Sequence, residues 1–129
     1  MHKKKVLIID DSETSLLLLN SLFDESSDVV VHSEKNSSVA FQKIIDIKPD
    51  IIILDLMMPE VDGFQILHDI KKDLNLKDIP VIVLSAIHDS KTIDKVKQLG
   101  AVDFIFKPFI VDVVVDTILF HLNRIKSGD

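Results

Sequence analysis

The chain contains no cysteine, no tryptophan and no tyrosine. Without thiols, disulfides, thiolate metal sites and cysteine nucleophiles are all excluded. No G-x-G-x-x-G run follows a strand, so a dinucleotide site has no phosphate cradle. Two aspartates follow the first strand in place of a Ser/Thr/Gly-rich loop, and they would repel a flavin phosphate. Long apolar runs are missing as well, and none could span a bilayer. Met1-His2-Lys3-Lys4-Lys5 carries the charge of a signal-peptide start. Only Val6 to Ile9 follow before the aspartates, too few for a hydrophobic signal core. The chain is therefore expected in the cytoplasm, with no membrane partner. Its net charge of −6 argues against direct nucleic-acid binding by this segment.

What is present suits one globular domain. The 129 residues are 47% hydrophobic and 28% charged, enough for a real core. Val6-Leu7-Ile8-Ile9 reads as a buried strand ending at Asp10-Asp11. Ser12 can cap a helix over about 13–25, with Leu16, Leu19, Leu22 and Phe23 inward. Val29-Val30-Val31 is a second strand, and a helix over about 38–47 follows with Ala40, Phe41, Ile44 and Ile45 inward, stopped before Pro49. Ile51 to Leu54 is almost wholly apolar and branched, as in a parallel strand buried on both faces. It delivers Asp55 at its end. A helix over about 64–74 comes next, then a strand over 79–84 with Pro80 at its start and Ser85-Ala86 at its end. A helix over about 90–99 closes on Gly100, a good C-cap. A strand over 102–106 reaches Lys107-Pro108, and a last helix covers about 111–125. This βα unit repeated five times implies, through right-handed crossovers, an α/β doubly wound parallel sheet with helices on both faces.

In such sheets ligands bind beyond the carboxyl ends of the strands. Strand ends one, three, four and five supply Asp10 and Asp11, Asp55, Ser85 and Lys107 to that edge. Each has an ordinary reading alone: helix N-terminal charge for the first two, turn residues for Asp55 and Ser85, and a solvated lysine. Together they form a pattern. Crowded carboxylates repel unless a cation sits among them, and oxygen-only ligands with room for water and phosphate suit Mg²⁺, or Mn²⁺ in its place. A hydroxyl and an ammonium nearby suit phosphoryl oxygens. The combination describes transfer of a phosphoryl group onto a carboxylate.

Four segments carry a family resemblance: Ile9-Asp10-Asp11-Ser12; Leu54-Asp55-Leu56-Met57-Met58-Pro59 with Asp62-Gly63; Leu84-Ser85-Ala86; and Gly100-Ala101-Val102-Asp103-Phe104 leading to Lys107-Pro108-Phe109. From end to end the chain resembles the receiver domain of two-component response regulators, chemotaxis receivers included. The resemblance implies a flavodoxin-like five-stranded sheet of order 2-1-3-4-5. It implies a receiver unit over 1–125, with 126–129 a tail or the start of a linker to an output domain. It also implies that Asp55 accepts phosphate from a sensor histidine kinase or phosphotransfer protein. Asp11 and Asp55 would bind Mg²⁺ directly, Asp10 through water, and Met57 by its backbone carbonyl. Lys107 would pair with the phosphoryl oxygens, Ser85 would turn toward them after transfer, and Phe104 would be the aromatic that packs inward when Ser85 moves. Pro108 matches a cis-proline of the family. Met57 and Ile87 occupy positions that tune dephosphorylation, and being apolar they predict a long-lived phosphorylated form. Such a chain catalyses its own phosphorylation and dephosphorylation but serves as a signalling switch rather than an enzyme.

Two residues depart from the common pattern. Ser85 stands for the more usual threonine and keeps the hydroxyl. Phe104 stands for tyrosine, so packing alone would govern its rotation. A dehalogenase-type enzyme would need an aspartate where Met57 stands. A receiver acting only as a phosphorylation-independent interaction module would not need every acidic and basic site position filled. On the last helix, Val111, Val114, Val115, Ile118, Leu122 and Ile125 form the expected core stripe at about 100° per residue. Val113 and Phe120 fall opposite, where the family's signalling face implies a partner or homodimer surface.

Overall fold

Ile51 to Leu54 has no exposed side chain. It forms the middle of a sheet covered on both faces, as its unbroken apolar character requires. The computed structural model describes residues 3–24, 27–87 and 89–124. Its elements alternate as β1 (Lys4–Ile9), α1 (Glu13–Asn20), β2 (Val29–Glu34), α2 (Ser37–Ile47), β3 (Ile51–Asp55), α3 (Gly63–Lys72), β4 (Val81–Ser85), α4 (Ser90–Gln98), β5 (Asp103–Phe106) and α5 (Val111–Arg124). The strands are parallel, in the order β2-β1-β3-β4-β5.

Strand periodicity divides the core into two layers. Leu7, Ile9, Ile52, Leu54, Val81 and Val83 face Ala40, Ile44, Ile66, Leu67, Ile70 and Val96 of α2, α3 and α4. The alternate residues Val6, Ile8, Ile51, Ile53, Ile82 and Leu84 face Leu16, Leu19, Val114, Ile118 and Leu122 of α1 and α5. Four helices start on side-chain caps, each accepting a backbone N–H: Ser12 from Ser15, Asn36 from Ser38, Asp62 from Gln65 and Asp89 from Thr92. Gly100 closes the α4 turn at φ +106°, in the left-handed region where a Cβ is costly.

Several expectations are corrected. Helix α1 ends at Asn20, five residues short of the expected end, because the Ser21 hydroxyl and N–H both turn back onto the Leu18 carbonyl. The expected endpoint, residue 25, lies outside the described residues. Leu22 and Phe23 still pack on the α1/α5 layer from the turn that follows. Strand β2 runs on through the polar His32-Ser33-Glu34 because β1 offers it a partner at every residue. Ile45 is 37% exposed and Val111 43% exposed rather than inward. Ile45 sits one residue past the buried Ile44, and Val111 starts α5 beyond the edge of the layer. Ile125 and residues 126–129 lie outside the described residues.

Candidate functional site

Register brings the strand ends to one level. Ile9 is opposite Leu54, Asp55 opposite Leu84, and Ser85 opposite Phe106. The residues just past these pairs are Asp10 and Lys107. The ladder continues into them, since Asp10 N–H donates to the Glu34 carbonyl at 3.1 Å and Lys107 N–H to the Ser85 carbonyl at 2.8 Å. Asp10, Asp11 and Asp55 each offer a carboxylate oxygen, and these atoms lie within 4.8 Å of one another. Asp10 is fully buried, Asp55 is 3% exposed and Asp11 faces solvent.

The Lys107 ammonium reaches across β3. Its Nζ lies 2.9 Å from Asp10 Oδ2 and 3.4 Å from Asp55 Oδ2. The second oxygen of each buried aspartate is held locally. Asp10 Oδ1 accepts from Ser12 N–H at 2.9 Å, and Asp55 Oδ1 from Met57 N–H at 3.1 Å. Ser85 Oγ, also fully buried, accepts from Ile87 N–H at 3.1 Å. All three turns are short side-chain-to-backbone closures that fix the direction of chain exit. The Lys107–Pro108 peptide is cis, as the motif implies.

Electrostatics make Asp55 unusual. Burial, then the neighbouring Asp10 charge, push its carboxyl from 3.8 up to about 7, against the Met57 N–H and Lys107, which favour the anion. Burial alone would lower the Lys107 ammonium. The hydrogen bond to Asp10 and the charges of Asp55 and Asp10 outweigh it, so Lys107 is held above its ordinary value. A buried carboxylate that burial and a neighbouring charge keep partly protonated at neutral pH is a group short of positive charge. A hard divalent cation would supply it, and the all-oxygen donor set fits one.

The loop after Asp55 is tightly built. Gly63 begins α3 directly against β3, and a Cβ there would sit 2.4 Å from the Asp55 carbonyl oxygen and 2.6 Å from Leu56 Cα. Its N–H donates to the Leu56 carbonyl at 3.0 Å. Met58 is buried while Met57 is 58% exposed, and Ile87 is half-buried. Phe104 is half-buried beside the α2–α4 layer, its ring 5.0 Å from that of Phe106. Val113 and Phe120 are exposed, as their helical spacing implied, and so are Phe106 and Ile110, which adjoin a shallow cleft between β5 and α5.

Two connections escaped the sequence reading. His121 is buried with Nε2 2.9 Å from Asp103 Oδ2, tying α5 to the start of β5. Its spacing, three residues after Ile118 and seven after Val114, marks it as core-facing. Ser37 is the other. It is buried, its hydroxyl donates to the Pro59 carbonyl, and its oxygen accepts from Val61 N–H at 3.1 Å.

A doubly wound sheet of this order, with carboxylates and a lysine gathered at its carboxyl edge, defines the receiver class of α/β domains. The chain belongs to the response regulator receiver domain family, whose model matches residues 6–119. It is 37% identical over 116 residues to chemotaxis protein CheY of Listeria monocytogenes, covering 88% of this chain and 94% of that protein. It is 39% identical over 111 residues to a protein-glutamate methylesterase/protein-glutamine glutaminase of Treponema denticola, covering 84% of this chain but only 29% of the relative. Among solved structures, the signal receiver domain of a signal transduction histidine kinase from Syntrophus aciditrophicus superposes with a TM-score of 0.85 at 29% identity, covering 98% of this chain and 95% of that one. Its place is thus in two-component signalling. No helix among the described residues is long and apolar enough to cross a membrane.

Proposed function

We propose that Asp55 is the phosphoacceptor of a signalling switch and takes a phosphoryl group from a phosphohistidine of a sensor kinase or phosphotransfer protein. One observation carries the reading: three carboxylates crowd within 4.8 Å at the sheet edge, two of them against a single lysine. A carboxylate oxygen of Asp55 attacks phosphorus as the P–N bond of the donor breaks. The imidazole leaves with the electron pair and takes up a proton, and an acyl phosphate remains on Asp55. Asp10, Asp11, Asp55 and the Met57 carbonyl would hold Mg²⁺, which offsets negative charge on the phosphoryl oxygens. Lys107 is the protein's own cation there and would exchange its carboxylate partners for a phosphoryl oxygen. Ser85 would release the Ile87 N–H and donate its hydroxyl to the phosphate. Phe104 then packs inward and reshapes the surface of β5 and α5.

The resulting face would control an output through association. Val113 and Phe120, with the neighbouring Phe106 and Ile110, give it apolar area for a partner or for a second copy of this chain. The chain spans about three tenths of the length of its methylesterase relatives and nearly all of the Listeria CheY. Incubation with acetyl phosphate and Mg²⁺ tests the central step. The protein should gain the mass of one phosphoryl group, labile to hydroxylamine. A mass gain that survives hydroxylamine, or none at all, overturns the reading.

A further inference from the structure

The loop that carries Met57 leaves β3 in a conformation that the loop itself does not explain. Glu60 sits at φ +69°, in the left-handed region that a residue with a Cβ enters only when its surroundings hold it there. Among the described residues the neighbouring Pro59 carbonyl and Val61 N–H make no backbone–backbone hydrogen bond. Both are satisfied by one side chain, the Ser37 hydroxyl, which donates to the first and accepts from the second. Ser37 is the first residue of α2, whose start is itself fixed by the Asn36 cap. The hydroxyl therefore clamps the loop from both sides of Glu60 onto a rigid helix end.

This clamp adjoins the acidic cluster. Asp11, Lys35, Asn36, Ser37, Pro59 and Glu60 line one cleft of ≈ 350 Å³, so the clamped loop and Asp11 share a wall. At its other end the loop is anchored by Gly63 against Asp55 and Leu56. Freedom at Pro59–Val61 would thus be passed back to Met57, whose N–H holds Asp55 Oδ1. We propose that Ser37 is a positioning residue for the divalent-cation site, setting cation affinity by fixing the β3–α3 loop. The inference rests on the proposed cation-binding role of the acidic cluster. Supporting groups of this kind are worth about ten- to a hundredfold in metal affinity where they orient ligands, and the lower end suits one acting through a loop.

The test compares Ser37→Ala, Ser37→Thr and Ile44→Val in the whole chain. Mg²⁺ affinity is read by calorimetry and amide exchange of Val61 by NMR in metal-free protein. Ser37→Ala should weaken Mg²⁺ binding about tenfold and speed exchange at Val61. Ser37→Thr, which keeps the hydroxyl, should restore both. Ile44→Val trims the core layer that the loop residues Met58 and Val61 also join but keeps both hydrogen bonds of the Ser37 clamp, so its Mg²⁺ affinity should match wild type. Wild-type affinity in Ser37→Ala overturns the proposal while leaving the cluster's role standing. Equal weakening by alanine and threonine overturns it too, because shape rather than the hydroxyl would then be at work. A wild type that binds no Mg²⁺ overturns the reading of the cluster and this proposal together.

Discussion

The two edges of the sheet carry similar residue types and treat them in opposite ways. At the amino edge, charged side chains meet local partners. Asp50 Oδ2 accepts from Lys5 N–H at 2.7 Å, Lys5 Nζ donates to the Ile47 carbonyl, and Lys71 Nζ donates to the Lys77 and Ile79 carbonyls. Those contacts close loops. At the carboxyl edge, Asp10, Asp11 and Asp55 crowd together and two of them share Lys107. A fold selected only for stability would not bury two like charges side by side. The difference teaches that the carboxyl edge is held short of positive charge, and that whatever binds there must bring it.

The sharpest way to break the comparison is to remove the acceptor. Asp55→Asn should abolish phosphoryl uptake from acetyl phosphate, as read by mass spectrometry. Asp11→Ala should abolish it as well while leaving the acceptor intact, through loss of the cation. Full labelling of Asp55→Asn at another residue would sink the assignment. With no tryptophan or tyrosine to report binding, the cation itself is followed by calorimetry or NMR.

The same substitution should have the reverse effect on stability. Asp55 holds its proton up to about pH 7 in the folded protein and loses it near 3.8 when unfolded. Between those values the native state binds more protons, so stability falls as pH rises and then levels off. Asp55→Asn removes that penalty. In metal-free protein it should stabilise by about 2–4 kcal/mol at pH 8, with the gain shrinking through pH 7 to 4 and vanishing below. Saturating Mg²⁺ should narrow the gap by stabilising wild type alone. At the opposite edge the sign inverts: Asp50→Ala should cost about 1 kcal/mol, one hydrogen bond. Denaturant melts across pH check both, and a destabilised Asp55→Asn at pH 8 refutes the contrast.

Much of this edge was legible because its residues follow apolar runs of the length of a strand. Ile51 to Leu54 could only be buried on both faces, which put Asp55 at a strand end, and the same logic placed Asp10, Ser85 and Lys107. Boundaries were less legible where a hydrogen bond decides them, as at Ser21. Partner-dependent pairing hid the polar end of β2. Ser37 was invisible for a different reason. Asn36-Ser37-Ser38 offers three cap candidates in a row, and only the tertiary approach of Pro59 and Val61 distinguishes the middle one. The Asp103–His121 pair likewise spans 18 positions, so spacing could mark His121 as inward but could not name its partner.

A third test asks whether the carboxyl edge speaks to the surface of α5. Phe120 is 58% exposed, its ring edge-on to His121 and beneath the Arg124 guanidinium at 5.5 Å. Burying the remainder should contribute about 1 kcal/mol per subunit. In a two-fold symmetric dimer both copies count, for roughly thirtyfold in association. Sedimentation of phosphorylated wild type should show tighter self-association than phosphorylated Phe120→Asp by that factor. If both associate equally, Phe120 is bystander surface and the signal leaves elsewhere.

The smallest expected effect concerns how long the edge stays occupied. Met57 and Ile87 follow Asp55 and Ser85 by two residues, and their N–H groups bind Asp55 Oδ1 and Ser85 Oγ. Before phosphorylation these bonds set where the two residues leave Asp55 and Ser85, and their side chains are the variable. Neither can orient an attacking water, and Ile87, being half-buried, can shield the acyl phosphate from solvent. Met57 is more exposed, so its contribution is chiefly the absence of a polar group. In the double variant Met57→Asn, Ile87→Glu, an amide and a carboxylate would stand where water must approach. General-base assistance from such loosely held groups falls well short of the hundredfold that a positioned base supplies, and about fivefold faster loss of phosphate is expected. The comparison uses radiolabelled phosphoprotein freed of donor, with the two decay curves followed side by side. Single variants divide the effect: if exposure sets the outcome, Ile87→Glu should account for more of it than Met57→Asn, because only the isoleucine side chain now excludes water. Equal decay of wild type and double variant would show that the lifetime is governed by the cluster itself.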